Sequence, residues 1–138
     1  MELESEVAYY PDLSPYEYSS GFSGLINIGW LDSTRQFERG SVEPMIVSKI
    51  GELCRKPVNL CRGYHLCPFC PEELVRRALT NSQGLDSLER PFGNGEIHVG
   101  AGGLYWVYAC PALIYHYIDK HSYLPPQEFL NAVRLLIN

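Results

Sequence analysis

Five side chains that bind metals or react as nucleophiles fall within a short span: Cys54, Cys61, His65, Cys67 and Cys70. The densest part reads "RGYHLCPFCPEELVRR", residues 62 to 77. Zinc takes four donors, usually tetrahedral, from thiolate sulfur and imidazole nitrogen. A Cys-x-x-Cys turn suits it, because a tight turn aims two thiolates at one point while nearby backbone amides ease their charge. Pro68 stiffens this turn. The helix expected from Pro71 turns the positive end of its dipole toward Cys70.

A redox pair is the main rival. Such motifs follow a strand and open a helix. "NLCRGYHL" does not read as a buried strand, and the upstream cysteines and histidine favour a metal. The expected ligands are Cys54, His65, Cys67 and Cys70, with zinc as the cofactor. Cys54 would be a rigid platform at a helix end, and His65 lets one loop carry three donors. Cys61 remains an alternative to His65 or Cys54. The spacing does not fit a zinc deaminase. There His-x-Glu precedes Pro-Cys-x-x-Cys, whereas here "CPFC" comes first and Glu96-Ile97-His98 is the reversed triplet. A closed, structural site is expected.

Cys110 precedes Pro111, and a thiol at a helix start can be nucleophilic. His116 lies too far along to pair with it readily, and Cys110 reads better as a small buried residue. On a helix over 110–121, Leu113, Ile114, Tyr117 and Ile118 share a face. His121 falls near its middle and His116 well off it, so His121 is expected to pack and His116 to be the freer ring. "GNGEIHVGAGG" lacks the spacing of a dinucleotide loop and reads as hairpin turns. No catalytic residue is assigned.

These side chains need elements to hold them. "EPMIVSKIGELC", 43 to 54, is helical, with Ile46, Ile50, Leu53 and Cys54 on one face. "PEELVRRALT", 71 to 80, is a second helix, acidic at its start and basic at its end. "GEIHV" and "LYWVYA", around the glycines at 100 to 103, make a hairpin. "LINIGWL", 25 to 31, is a strand candidate. "CPALIYHYIDKH", 110 to 121, reads as a helix opened by Pro111. A last helix starts near Pro126, with Phe129, Leu130, Val133, Leu136 and Ile137 as its stripe. The fold class is α+β: a small antiparallel sheet, three to four helices and a zinc-knuckle loop. At 138 residues the chain suits a single domain over 1–138. Residues 1–24, rich in proline and tyrosine, form an extended arm, and 54–70 a metal-binding loop.

The totals exclude several partners. The net charge is −5, and no basic patch exists to displace counterions from nucleic acid. The longest apolar run, Leu104 to Ile118, is too short to span a membrane and is broken by Pro111 and His116. The acidic start is unlike a signal peptide, and 5 cysteines, an odd number, argue against a disulfide framework, so a cytoplasmic location is expected.

Read in order, "YYPDLSPYEY", "NIGWLD", "CRKPVN", "RGYHLCPFC", "GEIHV" and "YACPALIYHYIDKHSYLPPQEFLNAV" form a pattern. Over roughly residues 8 to 134 the chain resembles a broad group of small uncharacterised bacterial proteins. The resemblance brings no established activity. It implies that alanine is usual where this chain has Cys110, which speaks against a nucleophile there. The expected function is a zinc-stabilised module that binds another protein, with an immunity-like role against a basic toxin as one form. The alternative is a metal- or thiol-dependent enzyme.

Overall fold

The computed structural model describes residues 9–18, 21–58, 65–81, 86–101 and 106–137. Its strands are β1 (Pro15–Tyr18), β2 (Gly21–Asn27), β3 (His65–Leu66), β4 (Phe92–Gly93), β5 (Glu96–Gly100) and β6 (Val107–Pro111). Its helices are α1 (Pro44–Cys54), α2 (Glu72–Thr80), α3 (Ile114–His121) and α4 (Gln127–Arg134). The class is α+β, as expected. One sheet has the order β1-β2-β6-β5, and β3 pairs with β4 in a second, two-stranded sheet.

The larger sheet is mixed rather than wholly antiparallel. β5 and β6 form the expected antiparallel hairpin, but β2 runs parallel to β6, with Leu25 opposite Val107 and Asn27 opposite Ala109. Adjacent strands joined by a tight turn must be antiparallel. β2 and β6 are separated by most of the chain, so no turn dictates their direction.

Strand alternation divides the sheet into two faces. Ile97, Val99, Tyr108 and Cys110 join the main core, with Ile46, Ile50, Leu113, Ile114, Tyr117, Phe129 and Val133 from the helices. On the other face Trp30 packs on Ala109 and donates its indole N–H to the Ala109 carbonyl at 3.0 Å. A satellite core of Leu66, Phe92, Val75 and Ala78 joins the short sheet to α2.

Helix α1 follows the expected bounds, with proline in its first turn, and α2 begins after Pro71. Three expectations are corrected. The strand at 25–31 ends at Asn27, because Gly29 takes φ +81, outside the extended region. Pro111 closes β6 opposite Glu96 instead of opening a helix, and α3 starts at Ile114. A proline is tolerated there because Glu96 exchanges both of its backbone bonds with Val58, each at 2.8 Å, so no ladder partner is orphaned. Helix α4 stops at Arg134, which leaves Leu136 exposed.

Buried polar ties hold the segment before β2. Asn27, fully buried, donates to the Pro15 carbonyl at 3.0 Å, and the Leu13 N–H donates to the Asn27 carbonyl at 2.8 Å. Asp12 accepts from the Tyr123 hydroxyl at 2.7 Å and from the Gly29 N–H at 2.9 Å. Gly29 therefore has a left-handed backbone and lies against α3, where an added Cβ would stand 3.1 Å from Ile114 Cδ1. Gly29→Ala should destabilise the protein by about 1–3 kcal/mol, from αL strain and crowding together. A urea denaturation midpoint equal to that of the parent protein would count against this reading.

Candidate metal centre

The Cys-x-x-Cys turn is anchored at both ends. β3 pairs with β4, and the Cys67 N–H donates to the Pro91 carbonyl at 2.8 Å. On the other side α2 begins at Glu72. Within the turn, backbone N–H groups of Phe69 and Cys70 point at the Cys67 sulfur. Phe69 wedges the turn into an aromatic cluster: its ring lies 5.2 Å from Phe37, 5.7 Å from Tyr117 and 5.3 Å from His121, centroid to centroid.

Helix α3 faces this turn. The sheet delivers it, since β6 leads through Leu113, itself buried, into the first turn. Ser122 then ends the helix with φ 58, directly after His121. The two rings are five residues apart, so a regular helix sets them about 140° apart around its axis. The sulfurs sit between them. Cys67 Sγ is 3.3 Å from His121 Nε2, and Cys70 Sγ is 3.3 Å from His116 Nε2 and 3.5 Å from His121 Nε2.

These four residues could hold a metal ion. The donor atoms of Cys67, Cys70, His116 and His121 all lie within 4.8 Å of one another. A tetrahedral ion with donors about 2.0–2.3 Å away has edges of about 3.3–3.8 Å. The three sulfur–nitrogen separations of 3.3, 3.3 and 3.5 Å match that edge. Two thiols and two imidazoles, with no carboxylate in the group, are a donor set for a borderline or soft ion.

Electrostatics adds a second criterion. Burial lowers His116 to about 4, helped by the nearby His121 and Lys120, so the ring is neutral at ordinary pH. Burial also lowers His121, with Arg39 contributing. Neutral imidazoles coordinate without losing a proton. The thiols behave oppositely: burial pushes Cys67 up to about 12, and burial raises Cys70 as well. Two thiols this reluctant to ionise, one buried and one half-buried, become thiolates when a cation replaces their protons.

The expected ligand set divides in the fold. Cys67 and Cys70 enter the cluster; Cys54 and His65 do not. Cys54 ends α1 inside the main core, where burial pushes its thiol up to about 12 and a Tyr115 backbone bond opposes the shift. His65 lies on β3 with its ring edge-on to Trp30 at 5.7 Å. Burial lowers it, against the pull of the Glu96 carboxylate. Cys61 lies outside the described residues. The reading of α3 is also reversed: His116 is buried, only 5% exposed, while His121 is half-buried, and both face the cysteines. The available signal was His-x4-His at 116 to 121, a spacing zinc sites use. It was obscured because Cys70 and His116 are 46 positions apart, where a finger motif leaves roughly 12–15 residues between its pairs.

Cys110 is fully buried, and burial raises its thiol far above the ordinary range. That environment favours the protonated form over a nucleophile. No helix among the described residues is long and apolar enough to cross a membrane.

The fold and the cluster define a small α+β domain with a candidate Cys2His2 metal site. The chain belongs to the family described as a domain of unknown function (DUF7919), which matches residues 8–134. No curated protein and no solved structure matches it.

Titration of metal-free protein with cobalt(II) tests the assignment. One tight site with thiolate-to-metal absorption is expected. Cys67→Ser, Cys70→Ser and His116→Ala should each abolish or greatly weaken it. Cys54→Ser and His65→Ala should leave it intact, and loss of the spectrum in either would redirect the assignment. Proton release is a separate check: the histidines start neutral and the thiols protonated, so about two protons should leave per ion near neutral pH. Apparent affinity should then fall up to about 100-fold for each unit of acidification, as long as the histidines stay neutral. Calorimetry in buffers of different ionisation enthalpy counts the protons, and a count near zero would contradict the thiol assignment.

Proposed function

We propose that the protein is a zinc-stabilised module that works by binding another protein, with Cys67, Cys70, His116 and His121 as the zinc ligands. The observation that carries this reading is the group of two sulfurs and two nitrogens within 4.8 Å of one another, all supplied by the chain itself. With four protein donors a tetrahedral ion keeps no open position for water or substrate, the hallmark of a structural site. Fully buried Cys110 adds no alternative nucleophile, so the enzyme reading lacks a foothold.

Support for a protein partner comes from the surface. Met45, Leu135 and Leu136 are exposed, and each is within two residues of the Glu43–Arg134 ion pair at 2.7 Å, which joins the start of α1 to the end of α4. Apolar side chains grouped beside polar ones are the usual composition of an interface. The net charge of −5 favours a basic partner. Neutralising a basic toxin in a bacterial cytoplasm is the form that fits this charge.

Two experiments check the halves separately. Structural zinc in zinc-finger peptides supplies on the order of 10 kcal/mol of folding free energy. If even about 3 kcal/mol is at stake here, a chelator should lower the melting temperature by roughly 10 °C. Metal analysis of protein purified without added zinc should give about one zinc per chain; a content near zero with unchanged melting in chelator would end the zinc reading. Affinity capture at moderate salt should enrich a basic protein. Met45→Glu with Leu135→Glu should abolish that capture without changing zinc content. Capture that survives the double variant would place the contact elsewhere.

A further inference from the structure

Beside the metal cluster lies a cleft of about 170 Å³, walled by the end of α1, the 3-10 turn Ser87–Glu89, β4 and the start of α3. Arg55, Arg90 and Asn94 line it, with Leu88 and Phe92 as apolar lining. No carboxylate lines it among the described residues. For a chain with net charge −5, a lining with two arginines and no carboxylate runs against the average. Arg55 donates from Nη2 to the Asp86 carboxylate at 3.0 Å. That pair is about half exposed, so it orients the guanidinium more than it neutralises it. Arg90 lies over the Phe92 ring, 5.9 Å from its centroid.

His116 is the wall shared by cleft and cluster. Its Nε2 faces Cys70, while its buried Nδ1 has no hydrogen-bond partner in the protein. An ion on Nε2 leaves the proton on Nδ1, which then needs an acceptor; metal-bound histidines almost always have one.

We infer that the cleft binds a small organic carboxylate, held by the Arg55 and Arg90 guanidiniums, with its apolar body on Leu88 and Phe92 and its binding coupled to the metal through His116. Guanidinium forks match carboxylate oxygens, and the apolar lining favours an organic anion over an inorganic one. At roughly 30 Å³ per water, the volume suits about five or six heavy atoms. The guanidinium pair stands without the metal; only the coupling through His116 rests on the zinc reading.

The test titrates the full chain, with its zinc content measured on the same sample, with butyrate and with inorganic phosphate at constant ionic strength. Butyrate should bind at one saturable site, with Kd of about 1 mM or tighter. Phosphate should bind at least fivefold more weakly, roughly 1 kcal/mol. Arg55→Gln, at a half-exposed position outside the core, and Arg90→Gln should each weaken butyrate by about tenfold with zinc content unchanged. Removing zinc should weaken butyrate by roughly threefold or more if His116 couples the two sites. Absence of saturation, or equal affinity in the parent protein and Arg55→Gln, would overturn the site. Equal binding of phosphate would overturn the carboxylate assignment. Butyrate affinity indifferent to zinc would overturn the coupling alone, and a zinc-free protein that still binds butyrate through Arg55 would separate this site from the metal reading.

Discussion

The convergence of two thiols and two imidazole nitrogens on one point is the constraint around which the rest is arranged. Cys67 and Cys70 come from a turn whose Phe69 ring packs into an aromatic cluster. His116 and His121 come from a short helix whose opposite side serves the main core. Donor groups this close, left uncompensated, are costly to bury. An ion at their centre would turn that cost into attraction between segments far apart in the chain. Cys67 and His121 are 54 positions apart, and closing so long a loop restricts the unfolded chain strongly.

Two apolar units meet at this point. The main core lies between the larger sheet and α1, α3 and α4, and the satellite core lies under α2. Cys67 packs with the first, while Cys70 touches both. The turn is thus a junction, and Phe69 extends it with ring contacts to Phe37, Tyr117 and His121. The satellite core contributes Leu66, Val75, Ala78 and Phe92 as its buried members. Burying so few side chains yields roughly 5–9 kcal/mol, set against about 1–2 kcal/mol for each residue ordered, so a metal cross-link at this junction would matter more than one inside the main core.

Much of the local structure was legible in order. Pro44 and the period of Ile46, Ile50 and Cys54 mark α1, because a first-turn proline and an apolar face at helical spacing are local properties. Pro71 with Glu72 and Glu73 marks the start of α2 for the same reason. The hairpin of β5 and β6 followed from alternation around a glycine cluster. Pro111 misled, since its place depends on Val58 satisfying the backbone of Glu96, a contact that no local pattern encodes. Leu136 misled because α4 ends at Arg134, before the last two members of the apolar stripe, Leu136 and Ile137.

Cys67 and Cys70 identified themselves by sequence alone, since a tight turn brings residues three apart together whatever the fold around them. The sequence also determined that α3 carries histidines at His-x4-His spacing. It did not determine their facing. Helical periodicity ranks residues around an axis but does not say how many sides of the helix are covered, and here one side meets the main core and another meets the cysteine turn. That covering depends on β4 anchoring the turn and β6 aiming the helix, and both depend on strand pairings between distant segments. Tertiary structure therefore decided that His116 and His121, rather than Cys54 and His65, join the two cysteines, because a ligand set is a set of distances and only packing fixes distances between residues so far apart in the chain.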